Sequence, residues 1–140
     1  MFYGVASLSL DSKGRMTIPV RYREYLSEKD EKNNILALVE SADGCLFLMK
    51  HSMWLIKVEE LLKNGTQEER RFWIGLSDTP ELDKSGRVLI NSVLREGAAI
   101  NKDVVLLGVG NHLEIWDEKR LEKHKSDVRK IKSNLKEKAL

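Results

Sequence analysis

LDSKGRMTIP, Leu10 to Pro19, and LDKSGRVLIN, Leu82 to Asn91, are one ten-residue pattern written twice in a chain of 140 residues. The offset is 72 residues: Leu10 with Leu82, Asp11 with Asp83, Gly14 with Gly86, Arg15 with Arg87 and Ile18 with Ile90, continuing through Arg23 with Arg95 and Glu24 with Glu96. A second match, CLFLM at 45–49 with HLEIW at 112–116, runs at an offset of 67. The first copy therefore carries five extra residues, most simply in the polar run SEKDEKNN, 27–34. The chain is an internal duplication, and two copies are fewer than a solenoid needs.

Each copy reads the same way. Ala6, Leu8 and Leu10, then a turn, then Met16 and Ile18 give the period-two pattern of a half-buried hairpin. In the turn, an Asp carboxylate can accept hydrogen bonds from the backbone ahead of it, and Gly supplies a positive φ without steric cost. Pro19 suits the first position of a short helix, VRYREYL, and Asn91 is placed to cap its counterpart. A second strand pair follows in each copy: ILALV and CLFLM around a turn at SADG, then VVLLGV and HLEIW around a turn near Gly110 and Asn111.

Between the copies the pattern turns helical. Ser52 opens a helix through Leu62 that stops at Asn64 and Gly65, and Thr66 with Glu69 forms a capping box for another running through RRFWIGL. The C-terminal stretch from Asp117 places Leu121, Val128 and Leu135 seven apart, with Ile131 beside them, a narrow apolar stripe on a polar helix. The expected organisation is a first repeat over 1–50, a helical connector over 51–78, a second repeat over 79–117 and a basic helix or tail over 118–140. A unit of about 60 residues with two hairpins cannot cover both faces of its sheet, so each copy is expected to complete its core by interleaving with the other. The fold class is mostly β with α (α+β).

Composition narrows the function. Hydrophobic residues are 41% and charged residues 33%, the balance of an ordinary soluble chain. No apolar run approaches the roughly 18 residues of a membrane span, and the N-terminus lacks the basic lead of a secretory signal. The one cysteine, Cys45, excludes an internal disulfide, points to a reducing cytoplasm, and sits in an apolar run where packing is its expected role. The net charge of +2 is unevenly spread: over 117–140 nine Lys and Arg face five Asp and Glu, leaving the other 116 residues at −2. A nucleic acid would thus have to be gripped from a local patch.

The repeated turn offers such a patch. In one reading DxxGR is a well-made turn with Asp pairing Arg across it. In the other it projects cations, Lys13 and Arg15 in the first copy and Lys84 and Arg87 in the second, beside hydroxyls at Ser12 and Ser85. Arg suits bidentate contact with guanine edges or phosphates, and a two-stranded ribbon can enter a major groove. Residues 1–26 hold Lys13, Arg15, Arg21 and Arg23 against Asp11 and Glu24, whereas residues 79–98 hold three cations against three acids. The first copy is therefore expected to make the main contact. Catalysis has little support. His51, His112 and His124 lack metal-ligand spacing, GVGN at 108–111 reads as a strand turn, and Asp11 and Asp83 already have turns to shape. Trp54, Phe72 and Trp73 read as packing rather than a base-stacking platform.

With these motifs in place, residues 1 to 117 resemble the MraZ family of bacterial regulators, whose halves belong to the AbrB-like (SpoVT-AbrB) DNA-binding superfamily. The resemblance rests on Met1, Phe2 and Gly4; on LDSKGR, Pro19 and the Arg of YRE; and on LDKSGR, Leu94 with Arg95, and EIWD at Glu114 to Asp117. Asn91 stands where the family often has proline. The resemblance implies two swapped-hairpin β repeats forming one pseudo-twofold barrel, assembled into a ring of about eight subunits. It further implies that DxxxR turns bind tandem short repeats in double-stranded promoter DNA. Carried over, it assigns DNA contact to Arg15, Lys13 and Arg87, with Ser12 and Lys84 beside them, and turn shaping to Asp11, Gly14, Asp83 and Gly86. No catalytic residue, metal, cofactor, small-molecule substrate or membrane partner is expected. The location is expected to be cytoplasmic and nucleoid-associated. An oligomeric scaffold whose Asp–Arg pairs stitch subunits together is the alternative.

Overall fold

The computed structural model describes residues 1–27 and 34–130. Most of the polar run at 27–34, and Ile131 and Leu135 of the expected C-terminal stripe, lie outside them.

The chain runs through β1 (Phe2–Ser9), β2 (Arg15–Thr17), α1 (Val20–Leu26), β3 (Leu36–Glu40), β4 (Leu46–Lys50), α2 (His51–Asn64) and α3 (Gln67–Arg70). One π-helical turn over Arg71–Gly75 follows, then β5 (Ser77–Asp78), β6 (Arg87–Leu89), α4 (Ser92–Gly97), β7 (Asp103–Gly110), β8 (Leu113–Asp117) and α5 (Glu118–Lys130). The α+β class is as expected. β5 is an extra short strand within the stretch read as helical.

Hydrogen bonding organises the strands as a six-stranded sheet in the order β1-β7-β8-β4-β3-β5 and a separate β2-β6 ribbon, rather than as one closed barrel. All strand pairings among the described residues are antiparallel. The second hairpin of each copy forms as read, β3 with β4 and β7 with β8. The first does not close on itself. β1 pairs with β7, from Phe2 opposite Gly110 to Ser9 opposite Asp103, and β2 pairs with β6. The turn at 11–14 is present, but the strands on either side of it take their partners from the other copy. Each copy's own leucine is tied in the same crossed manner, the Leu10 amide to the Lys102 carbonyl at 2.9 Å and the Leu82 amide to the Asn34 carbonyl at 2.8 Å.

Alternation along the strands separates two apolar layers. One face of the sheet, with Phe2, Leu36, Leu38, Leu46, Leu48, Val104, Leu106, Leu113 and Ile115, packs against Met16, Ile18, Val88 and Ile90 and against Tyr22, Leu26 and Leu94 of α1 and α4. This main core lies beneath the ribbon and draws on both copies. The other face carries two smaller clusters. Ala37, Val39 and Met49 lie under Trp54 of α2 with Trp73 alongside, and Cys45, Val105 and Trp116 lie under Leu121 of α5. Trp54 and Trp73 thus pack, as read, and Cys45 is buried.

Edge strand β1 is protected. Its Tyr3 and Val5 carbonyls accept hydrogen bonds from the Tyr22 hydroxyl and the Arg21 guanidinium of α1, which occupies groups that would otherwise invite another strand. The helix starts fall close to expectation. Pro19 is the N-cap of α1, one position before its expected place, and Asn91 caps α4, its Oδ1 accepting from the Leu94 amide at 2.9 Å. The Thr66–Glu69 capping box is formed with both of its hydrogen bonds. No described helix is long and apolar enough to cross a membrane.

Candidate nucleic-acid interface

Two turns and one ribbon make the site. In the first turn Asp11 Oδ1 accepts from the Lys13 and Arg15 amides, each at 2.9 Å, and in the second Asp83 Oδ1 accepts from the Ser85 and Arg87 amides at 2.9 and 2.8 Å. The Gly14 amide closes on the Asp11 carbonyl and the Gly86 amide on the Asp83 carbonyl, each at 3.0 Å. Gly14 has φ +84° and Gly86 φ +79°, a conformation that costs a residue with a Cβ about 1–2 kcal/mol. The two turns are near copies in geometry as in sequence.

Each Asp also holds its Arg. Arg15 Nε donates to Asp11 Oδ2 at 2.8 Å and Arg87 Nε to Asp83 Oδ2 at 3.0 Å. The Arg15 and Arg87 amides lead in holding the Asp11 and Asp83 carboxyls below the usual carboxylate range, with the guanidiniums adding to the effect. Both of the sequence's readings of the turn are therefore compatible. The pair uses Nε, and the terminal amino groups of both arginines make no hydrogen bond among the described residues, so they remain able to grip an acceptor pair.

The ribbon joins the turns. Arg15 lies opposite Leu89, Met16 opposite Val88 and Thr17 opposite Arg87. Met16 and Val88 are fully buried, so alternation sends Arg15, Thr17, Arg87 and Leu89 to the outer face. The ribbon is locked at its ends, where the Ile18 amide donates to the Gly86 carbonyl at 2.8 Å and the Ile90 amide to the Gly14 carbonyl at 3.0 Å. Both arginines thus share one outward surface about a local twofold, with Ser12, Lys13, Lys84 and Ser85 exposed on the flanking turns.

Two further arginines brace this surface. Arg23 Nε donates to the Ile18 carbonyl at 2.8 Å, and its guanidinium lies over Gly86 of the opposite copy, where a Cβ would collide with it. Arg95 lies over Gly14, where a Cβ would stand 3.0 Å from its Cζ. The sequence paired Arg23 with Arg95 but showed no role for them, because their partners are 63 and 81 residues away. Thr17 and Leu89 were also missed. The inward reading of Met16 and Ile18 was the signal that could have found Thr17.

Among the described residues no group of three or more His, Cys, Asp or Glu could hold a metal ion. Ring contacts place His112 against Phe47 and His124 against Trp116.

Comparison with known proteins finds the duplication again. A family model described as "MraZ protein, putative antitoxin-like" matches residues 1–73 and again 74–140. A protein of Herminiimonas arsenicoxydans named "Transcriptional regulator MraZ" is 40% identical over 130 residues, 91% of this chain and 90% of that protein. Proteins of the same name from Paraburkholderia phytofirmans and Acidovorax sp. are 42% and 40% identical over 120 and 119 residues, each spanning 84% of this chain and 82% of the relative.

Proposed function

The chain belongs to the MraZ family, and from that premise we propose that it is a transcription regulator of the cytoplasm and nucleoid. It binds tandem short repeats in double-stranded promoter DNA upstream of the division and cell wall gene cluster, through DxxxR turns carried by a ring of about eight subunits. The observation that carries the DNA reading is the shared outward face of Arg15 and Arg87 on one ribbon, flanked by exposed Lys13 and Lys84. Arg15, Lys13, Ser12, Arg87 and Lys84 contact the DNA, while Asp11, Gly14, Asp83 and Gly86 hold the turns in shape.

The energetics favour many identical contacts. One arginine at a base edge gives about 1–3 kcal/mol of discrimination, too little for a regulator. Repeated turns in one assembly meet repeated DNA sites at high effective concentration. A body of net −2 can then bind a polyanion through its local patch. In the scaffold alternative the same outward arginines would meet a second copy of the chain in place of DNA.

The test is fluorescence anisotropy of wild type and Arg15→Ala on DNA from upstream of the gene, beside scrambled DNA, across a salt series. Preference for the upstream DNA, a steep salt slope and their loss in the variant are expected. Equal weak binding to both DNAs would defeat the regulator reading, and loss of assembly in Arg15→Ala would return the turn to a scaffold role.

A further inference from the structure

Arg15, Thr17 and Arg87 of the ribbon's outer face can hydrogen-bond to a base edge or a phosphate. The fourth residue on that face is a leucine, 48% exposed. Packing within the chain does not require it there. Its neighbours Val88 and Ile90 are fully buried and supply the ribbon's share of the core, while Leu89 stands directly opposite Arg15. The equivalent position of the first copy is Thr17, also exposed. What leucine and threonine share there is a methyl group carried outward between two arginines. In the major groove the base with an apolar edge is thymine, whose C5-methyl group is read by apolar contact, whereas arginine reads the acceptors of guanine.

Resting on the reading of this ribbon as the DNA-contacting surface, we propose that Leu89 is a specificity-determining residue that packs on the 5-methyl group of a thymine. Thr17 presents its own methyl group at the twofold-related position. The pairing of roles follows from the register. Arg15 and Leu89 are cross-strand neighbours, so a guanine gripped by one lies next to the base reached by the other. Threonine carries a hydroxyl beside its methyl and can accept other bases by hydrogen bonding. Leucine has no such option, so the second copy is the stricter reader of the methyl group, although the first copy carries the greater positive charge.

The experiment replaces each thymine of the upstream duplex in turn by deoxyuridine, which removes only the methyl group. Binding of wild type, Leu89→Ala and Leu89→Met is followed by anisotropy, with near-ultraviolet circular dichroism showing that each variant is folded. Wild type is expected to bind about fourfold more weakly when the contacted thymine is replaced, the effect of one buried methyl or methylene group. Leu89→Ala binds the thymine and uracil duplexes equally, and Leu89→Met retains most of the difference. The inference is overturned if wild type is insensitive at every thymine, or if Leu89→Ala keeps the wild-type sensitivity. It is also overturned if Leu89→Ala weakens both duplexes alike while the methyl effect persists, because leucine would then only support the stem of Arg15. Upstream preference without methyl sensitivity defeats this inference alone. Absence of any upstream preference defeats the regulator reading, and this inference with it.

Discussion

At the scale of single residues, the two turns are geometrically matched but differ in the charge around them. The stretch of chain that carries Arg15, 1–26, has four cations against two acids, while that of Arg87, 79–98, has three against three. Arg15→Ala is therefore expected to weaken binding to the upstream DNA more than Arg87→Ala does, with the assembly intact in both when followed by light scattering; equal losses would mean that the local charge does not rank the copies. The aspartates predict a pH dependence. Because the folded state holds both carboxyls below their ordinary value, their contribution is complete above about pH 5, where the unfolded chain's aspartates are ionised, and is lost as pH falls through the lowered folded values. The melting-temperature gap between wild type and the Asp11→Asn, Asp83→Asn double variant should be constant from about pH 5 to 8 and close below about pH 4. A gap that widens in acid would contradict the sign. These turn residues were readable from the sequence because an Asx turn with a positive-φ glycine is local chemistry. Arg23 and Arg95 were not, since what they brace is supplied by the opposite copy.

At the scale of elements, helix ends and helix faces each make one prediction. Asn91 caps α4, and its Nδ2 also donates to Asp78 Oδ2 at 3.0 Å, tying the helix to β5. A proline at this position would provide neither bond. Asn91→Ala should cost about 1 kcal/mol for the cap, with the lost tether adding to it, as measured by urea unfolding. On the outer face of the sheet, Leu121 is 2% exposed and closes the cluster around Cys45. Burial pushes the Cys45 thiol up to about 12, so the folded protein should resist a thiol reagent at pH 8. Leu121→Ala should destabilise by about 2–4 kcal/mol and speed Cys45 labelling; unchanged labelling would show that α5 is not what shields the thiol. The capping signals at Asn91, Thr66 and Glu69 were legible because each spans three residues. β5 was not, because two residues carry no period and pair only where β3 offers an edge. The sequence reads the π-helical turn as part of a continuous helix, since no proline interrupts RRFWIGL after the start marked by Thr66 and Glu69.

At the scale of the whole molecule, the duplication explains why the expected hairpin is replaced. β1 and β2 each find a partner in the other copy, β4 joins β8 across the centre of the sheet, and Ile35 bridges to Glu81, so these seams cross between the copies. The need to interleave was visible in the sequence, because a repeat this short cannot cover its own sheet. Which strands exchange was not, since period-two patterns mark a buried face without naming the neighbour. The exchange also ties the ends of the fold together, with Phe2 opposite Gly110, so the sheet cannot be completed until most of the chain is available. Such non-local pairing slows folding. The two stretches matched by the family model, 1–73 and 74–140, provide the test. Produced separately, neither fragment should be a folded monomer: 74–140 lacks the partners of β6 and β7, and 1–73 lacks those of β1 and β2. Each should be unfolded or should pair with its own kind, because the copies are similar enough to substitute for one another. Mixed, they should form a one-to-one complex with the near-ultraviolet signature of the intact chain, followed by size-exclusion chromatography with light scattering. A cooperatively melting monomer of either fragment would mean that a single copy can satisfy its own strands and that the crossed seams are not what completes the core.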